Sequence, residues 1–311
     1  MAKILITESV HPIGPELLTA AGHTVVYADR DMDVIRREIV DADAVLVRII
    51  ELPGSLLATA KNLKIVSKHG VGYDNIDLDY CKNHGIAVTI TPNANSLSVA
   101  EHAFTLMLTL AKNIIPVSNE YRTVGFAAKN HAPGIEMTGK TLGLIGMGRI
   151  GKHILHMCRD GLDMHVIVYD PYISEVPEGV EKVDDLSELL RRADVVTLHC
   201  LLTDETRKLI DRERLALMKP TALLINCARG PIVDEAALIE ALENGRLAGA
   251  GLDVTDPEPV APDSPLFKLP NVIVTPHYAP TTVESATRVS KIAAENINAV
   301  LAGQEPVGRI V

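Results

Sequence analysis

A guanidinium, two carboxylates and an imidazole stand in three short polar stretches, each directly after an apolar run. Asn226-Cys227-Ala228-Arg229-Gly230 follows Leu223-Leu224-Ile225. Asp253, with Pro257-Glu258-Pro259 close behind, follows Ala250-Gly251-Leu252, and Thr275-Pro276-His277 follows Val272-Ile273-Val274. Open α/β sheets bind ligands outside the carboxyl ends of their strands, so polar residues in these places carry more weight than polar residues elsewhere. Together the three stretches hold the parts needed to move a hydride and a proton in one reaction. His277 can give a proton to a carbonyl oxygen as hydride reaches the carbonyl carbon, and Glu258 can hold the ring and keep the imidazolium available. Arg229 can take a carboxylate through its planar fork and polarise the neighbouring carbonyl.

A second constellation is built to bind. Leu142 to Ile145 reads as a buried strand that runs into Gly146-Met147-Gly148-Arg149-Ile150-Gly151. A helix-like segment from Arg149 to Arg159 follows, then a second strand from His165 to Tyr169 that ends in Asp170. Gly146 permits a tight turn, Gly148 lets the backbone approach a pyrophosphate, and Gly151 lets the helix pack closely on the strand. The helix N-terminus then faces the anion with unpaired N–H groups. Asp170 sits where a carboxylate accepts from ribose hydroxyls and repels a 2′-phosphate, which selects NAD(H) over NADP(H). A lone glycine triplet is weak evidence among twenty-one glycines. Strand, helix, second strand and terminal acid all in register make it a dinucleotide site.

The elements that must position these residues alternate along the chain. From Lys3 to Ile90 short β-like runs (KILIT, TVVYA, AVLVR, LKIVS, IAVTI) alternate with amphipathic helix-length segments, which implies a parallel sheet. From Thr141 to Thr275 the alternation resumes around the glycine motif, as expected of a doubly wound domain. Between them, Leu97 to about Val117 is apolar around most of its circumference, as in a helix buried between domains or at a subunit contact. The last helix-like stretch, Thr282 to Leu301, can return to the first domain. Two cations, Arg48 after AVLV and Lys68 after IVS, fall at the carboxyl edge of the N-terminal sheet. There they can hold a second anionic group of a substrate or pair with Glu51 and Asp74.

Composition narrows the class. A chain of 311 residues exceeds what one core usually serves, so two domains are expected. Hydrophobic residues make up 47% and aromatic ones 3%, with no Trp, so the core must be aliphatic. With 30 basic against 40 acidic residues and no basic cluster, nucleic acid is excluded as a partner. Cys81, Cys158, Cys200 and Cys227 are scattered singly, without the spacing of a zinc site, and no metal is expected. The N-terminus lacks the pattern of a signal peptide, and the most apolar run, Ala103 to Ala111, is too short to span a bilayer. A soluble, cytoplasmic protein with no membrane contact is expected.

Beyond these readings, GVGYDNIDL at 70–78, TPNANSLSVAEH at 91–102, GLIGMGRIG at 143–151, NCARGPIVDEAAL at 226–238, GAGLDVTDPEP at 249–259 and TPHYA at 275–279 resemble the D-isomer-specific 2-hydroxyacid dehydrogenases. The resemblance covers most of the chain. It implies an α/β fold of two doubly wound parallel-sheet domains: a Rossmann NAD-binding domain over 98–282, inserted in a flavodoxin-like substrate domain over 1–97 and 283–311. It further implies NAD as cofactor, a small 2-keto or 2-hydroxy acid as substrate, an active site in the cleft and a homodimer joined through the cofactor domain. Arg229, Glu258 and His277 would be catalytic. Gly146, Gly148, Arg149, Ile150, Gly151, Asp170, Ala228, Asp253 and His277 would line the cofactor, with Asp253 near the nicotinamide. Val71, Gly72 and Asn95 would join Arg48, Lys68 and Arg229 on the substrate. Candidate substrates are 3-phosphoglycerate and phosphohydroxypyruvate, or hydroxypyruvate and glyoxylate.

The chain departs from the family pattern at Leu201, where proline is frequent, and at Tyr278-Ala279-Pro280 after TPH, which bears on the substrate pocket. It stops soon after the return helix, so no C-terminal regulatory domain is expected. Glu258 disfavours a formate dehydrogenase, which resembles this triad with glutamine at that place. Two rivals keep the acid: a phosphite dehydrogenase and a dinucleotide-sensing corepressor, the latter distinguished by binding cofactor with little turnover.

Overall fold

Short, mostly apolar runs of three to five residues set all but one of the strands in the 311 residues that the computed structural model describes. They fall in two compact units, Met1–Asn95 with Pro280–Val311, and Ser96–Ala279. The breaks lie slightly before the expected 97/98 and 282/283, because a helix that packs with the second unit already begins at Ser96.

In the first unit β1 (Lys3–Ile6), β2 (Thr24–Tyr27), β3 (Ala44–Val47), β4 (Ile65–Lys68) and β5 (Ala87–Thr89) pair in parallel in the order β2-β1-β3-β4-β5. β3 and β4 are buried at every position, as central strands covered on both faces must be. The chain's last helix, Val283–Leu301, starts at Thr282, whose hydroxyl caps the Ser285 N–H. Its Ala293, Ala294 and Ile297 share a core with Ile4, Ile6, Leu46 and Ile65. Gly14 lies so near it that a Cβ would stand 2.4 Å from Ser290 Oγ.

This strand order is the flavodoxin-like one, which reverses between β1 and β3. At the reversal Glu8, only 2% exposed, accepts hydrogen bonds from the backbone N–H of Arg48 (2.8 Å), Ile49 (2.7 Å) and Ile50 (3.1 Å) and from the Thr7 hydroxyl (2.6 Å).

In the second unit β6 (Thr141–Ile145), β7 (His165–Tyr169), β8 (Val180–Lys182), β9 (Val195–Leu198), β10 (Leu223–Asn226), β11 (Gly249–Leu252) and β12 (Val272–Val274) form a parallel sheet in the order β12-β11-β10-β9-β6-β7-β8. Alternate residues feed two cores. Leu144, Val168 and Ile225 join Leu106, Met107 and Ile154 on one face, while Ile145, Ile167 and Leu224 join Leu189, Leu190 and Leu238 on the other.

Two expectations need correction. The apolar segment from Leu97 to about Val117 is two helices, Ser96–Ala111 and Ile114–Val124, because Asn113 turns left-handed (φ 51°) between them. The break is held by the returning chain: Ile135 N–H caps the Ala111 carbonyl at 2.7 Å, and Asn113 Nδ2 donates to Pro133 O at 3.2 Å. The sequence reading also passed over β8, a three-residue VEK edge strand with too little apolar character to show. No helix is long and apolar enough to cross a membrane.

Candidate active site

β10, β11 and β12 are neighbours, so the loops that follow them meet at one end of the sheet. After β10, the buried side chain of Asn226 folds the chain on itself: Oδ1 accepts from Ala228 N at 3.0 Å and Nδ2 donates to Arg229 O at 2.9 Å. This presents the half-buried Arg229, whose Nη1 also donates to Ala228 O. Gly230 then passes against the loop after β11, where a Cβ would stand 1.9 Å from Thr255 O. Only glycine allows the two loops to lie so close. In the second loop Asp256 N donates to Glu235 Oε2 and Thr255 Oγ1 to Pro257 O, which fixes the stretch that carries Glu258.

His277 Nδ1 stands 2.7 Å from Glu258 Oε1. A carboxylate only accepts, so Nδ1 carries the hydrogen and Nε2 is left to exchange a proton. His277 also has φ 52°, a conformation that costs a side chain of its kind about 1–2 kcal/mol. Asp253 holds it there. Its carbonyl accepts from His277 N (2.8 Å), and its carboxylate, 1% exposed, accepts from Thr275 Oγ1 (2.6 Å), Tyr278 N (2.7 Å) and Ala279 N (2.9 Å). Asp253 was expected beside the nicotinamide; in the structure both its carboxylate oxygens accept from the turn that bears His277, and Oδ2, with one N–H partner, retains a further acceptor site. His102, from the helix Ser96–Ala111, adds a 3.0 Å contact from Nε2 to Thr275 Oγ1. Sequence reasoning missed His102 and Thr275; the available signal was an imidazole in a helix most of whose residues are apolar.

The order of the second sheet reverses between β6 and β9, the place where such sheets hold a ligand. The glycines there divide the work. Gly146 (φ 88°) presses on the chain after β9, where a Cβ would meet Cys200 N at 2.8 Å and His199 O at 2.9 Å. Gly151 presses on Gly146 itself, a Cβ meeting Gly146 O at 2.3 Å. Gly148 alone faces open space, with no atom within 4 Å of a built Cβ. The fold therefore requires the first and third glycines, and the second suits a group that approaches from outside. A fourteen-residue helix, Arg149–Leu162, starts there without a side-chain cap, with Arg149 exposed and Ile150 half-buried. Asp170 Oδ2 accepts from Met147 N (2.9 Å) and Oδ1 from Tyr172 N (3.0 Å), and each oxygen retains a further acceptor site. These residues fit a dinucleotide. The neighbouring His199 is kept neutral, burial holding its pKa at about 3, and burial raises the Cys200 thiol to about 11. No group of three or more His, Cys, Asp or Glu side chains is arranged to hold a metal ion.

In the first unit Lys68, 7% exposed, donates from Nζ to Asn75 Oδ1 at 2.6 Å and to the Arg48 carbonyl. Arg48 Nη1 donates to Ser9 O at 2.9 Å. Both cations thus tie together the loops after β1, β3 and β4. Val71 and Gly72 stand half-buried just beyond Gly70, which takes φ 141°, and Asn95 is the half-buried residue that ends the segment. Burial, reinforced by the charge of Arg48, holds the His69 pKa at about 3.

A family model described as the D-isomer specific 2-hydroxyacid dehydrogenase NAD-binding domain matches residues 104–279. A D-3-phosphoglycerate dehydrogenase of Methanocaldococcus jannaschii is 42% identical over 98% of this chain, which spans only 58% of that relative's length. A glyoxylate reductase of Thermofilum pendens is 38% identical over 98% of this chain and 93% of its own. Among solved structures, a Thermus thermophilus protein superposes with a TM-score of 0.91 at 35% identity, covering 99% of this chain and 100% of the other. With this match through both units, and with the cradle and the His–Glu pair that the family motifs carry, the chain belongs to the D-isomer-specific 2-hydroxyacid dehydrogenases.

Proposed function

We propose that this protein is an NAD-dependent oxidoreductase that interconverts a 2-keto acid and the D-2-hydroxy acid. The observation that carries the reading is the 2.7 Å pairing of His277 Nδ1 with Glu258 Oε1, on loops adjoining the one that bears Arg229. When bound, reduced NAD supplies the hydride that adds to the carbonyl carbon. His277 gives its Nε2 proton to the carbonyl oxygen, and Glu258 keeps the ring oriented through Nδ1. Arg229 takes the substrate carboxylate and withdraws charge from the carbonyl. In the opposite direction neutral Nε2 accepts the hydroxyl proton. Gly146, Gly148, Arg149, Ile150, Gly151 and Ala228 seat the cofactor, and Asp170 receives the ribose.

A small unphosphorylated acid, glyoxylate or hydroxypyruvate, is favoured by the engagement of Lys68 and Arg48 with backbone carbonyls. Phosphohydroxypyruvate is the second reading, supported by the identity to the archaeal D-3-phosphoglycerate dehydrogenase. We assign a cytoplasmic location, supported by four free thiols, and a homodimer. The dimer is supported by the helix Ile114–Val124, which buries none of its own residues, and by Tyr121 and Phe126, exposed at 59% and 72%. NADH oxidation over glyoxylate, hydroxypyruvate, pyruvate, phosphohydroxypyruvate and bulkier keto acids tests the reading. Turnover of at least one, with NADH preferred over NADPH by about tenfold or more in kcat/KM, is expected from the Asp170 carboxylate. NADH binding without turnover of any keto acid overturns it in favour of a dinucleotide sensor.

A further inference from the structure

The Thr275 hydroxyl has a single proton, and the bond directions around it follow from that. It lies 2.6 Å from Asp253 Oδ1, which only accepts, so its proton goes there. His102 Nε2, 3.0 Å away on its other side, must then be the donor. A directed chain results: His102 donates to Thr275, Thr275 to Asp253, and Asp253 receives the N–H groups of Tyr278 and Ala279. His102 also stands 3.5 Å from Asp253 Oδ1 and meets the Tyr278 ring edge-on, centroids 6.2 Å apart. It therefore touches the residue two before His277 and the residue one after it. Between those two contacts lies the His277 backbone at φ 52°, a conformation that is costly for a residue with a side chain and that the contacts on either side help to hold.

We infer that His102 is a positioning residue: an Nε2–H donor that, through Thr275 and Asp253, clamps the turn so that the His277 ring meets Glu258. The inference rests on the function proposed above, in which His277 moves the proton. The chain links the helix Ser96–Ala111 to the reacting end of the sheet, so the helix contributes to chemistry without a side chain on the substrate.

The test uses His102→Ala, His102→Gln and Thr275→Val in the full chain. His102→Ala and Thr275→Val each lower kcat about tenfold or more, because small misplacement of a reacting group is expensive. KM and the NADH dissociation constant from fluorescence stay within about twofold of wild type, since neither residue is assigned to binding. His102→Gln recovers most of kcat, as its amide N–H reaches the same hydroxyl. In ¹⁵N-histidine-labelled protein, the His277 Nδ1 hydrogen exchanges with water faster in His102→Ala than in wild type or His102→Gln. A kcat within about twofold of wild type in both deletion variants, with unchanged exchange, overturns the inference even if both melt at lower temperature. If the wild type reduces no keto acid, the proposed function fails instead, and the exchange comparison still decides what His102 does. Should His102→Ala not fold, the isosteric Thr275→Val carries the same comparison.

Discussion

A proton leaving Nε2 of His277 reaches its target only if the ring holds still, and the bond from Nδ1 to Glu258 provides that constraint. His277→Ala is therefore expected to lower kcat by about a hundredfold or more. Glu258→Gln should cost less, because its amide oxygen can still accept from Nδ1, and should leave NADH affinity nearly unchanged; steady-state kinetics beside a fluorescence titration check both. Lys68 gives a different expectation. Its amine satisfies buried acceptors at Asn75 and Arg48, so Lys68→Ala should lose about 1–3 kcal/mol of stability in urea denaturation. A tenfold rise in KM for a phosphorylated acid, at unchanged stability, would instead restore the second-anion role. His277, Glu258 and Arg229 could be read from sequence because each follows an apolar run, and position after a strand is a local property. What Lys68, Glu8 and Asp253 do was not legible, since their partners lie up to about forty residues away and are selected by loop packing.

At the scale of elements, the glycine turn separates folding from binding. Gly148→Ala places a methyl in open space at an ordinary backbone conformation (φ −72°), so thermal stability should stay within about 0.5 kcal/mol. NADH affinity should nonetheless fall about tenfold or more if phosphates pack against that atom, as the glycine's role implies. Gly151→Ala drives a Cβ into the Gly146 carbonyl and should damage both, which melting and fluorescence titration of the two variants will separate. The strands were legible because buried parallel strands read as unbroken aliphatic runs. The turn at Asn113 was not, because apolar spacing continues across it and the returning chain around Gly134 enforces the break. β8 hid for the opposite reason, its polar residues satisfying an exposed edge.

For the whole molecule, acid stability follows from two histidines kept neutral. Burial lowers the folded pKa of His69 and of His199 to about 3, against about 6.5 when unfolded. Between these values the unfolded chain binds more protons, so the contribution is complete above pH 6.5 and is lost as pH falls toward 3. At pH 5 each histidine should cost about 1–2 kcal/mol relative to pH 7. Urea midpoints at the two pH values check this, and replacing His199 with Gln should flatten the difference. A midpoint that does not move would show that water reaches these rings. The histidines lie in different units, so the expectation covers the full chain.

The Glu8 carboxylate gives the first unit an oxyanion of its own. Backbone N–H groups of Arg48, Ile49 and Ile50 converge on one side chain at the crevice where related sheet architectures receive a phosphate. The unit is thus a receptor whose ligand is tethered to the preceding strand. Glu8→Ala should convert it to an open one, losing about 2–4 kcal/mol for unsatisfied donors. Added sulfate should then recover stability in proportion to the logarithm of its concentration, a rescue that wild type, already filled, has no means to show.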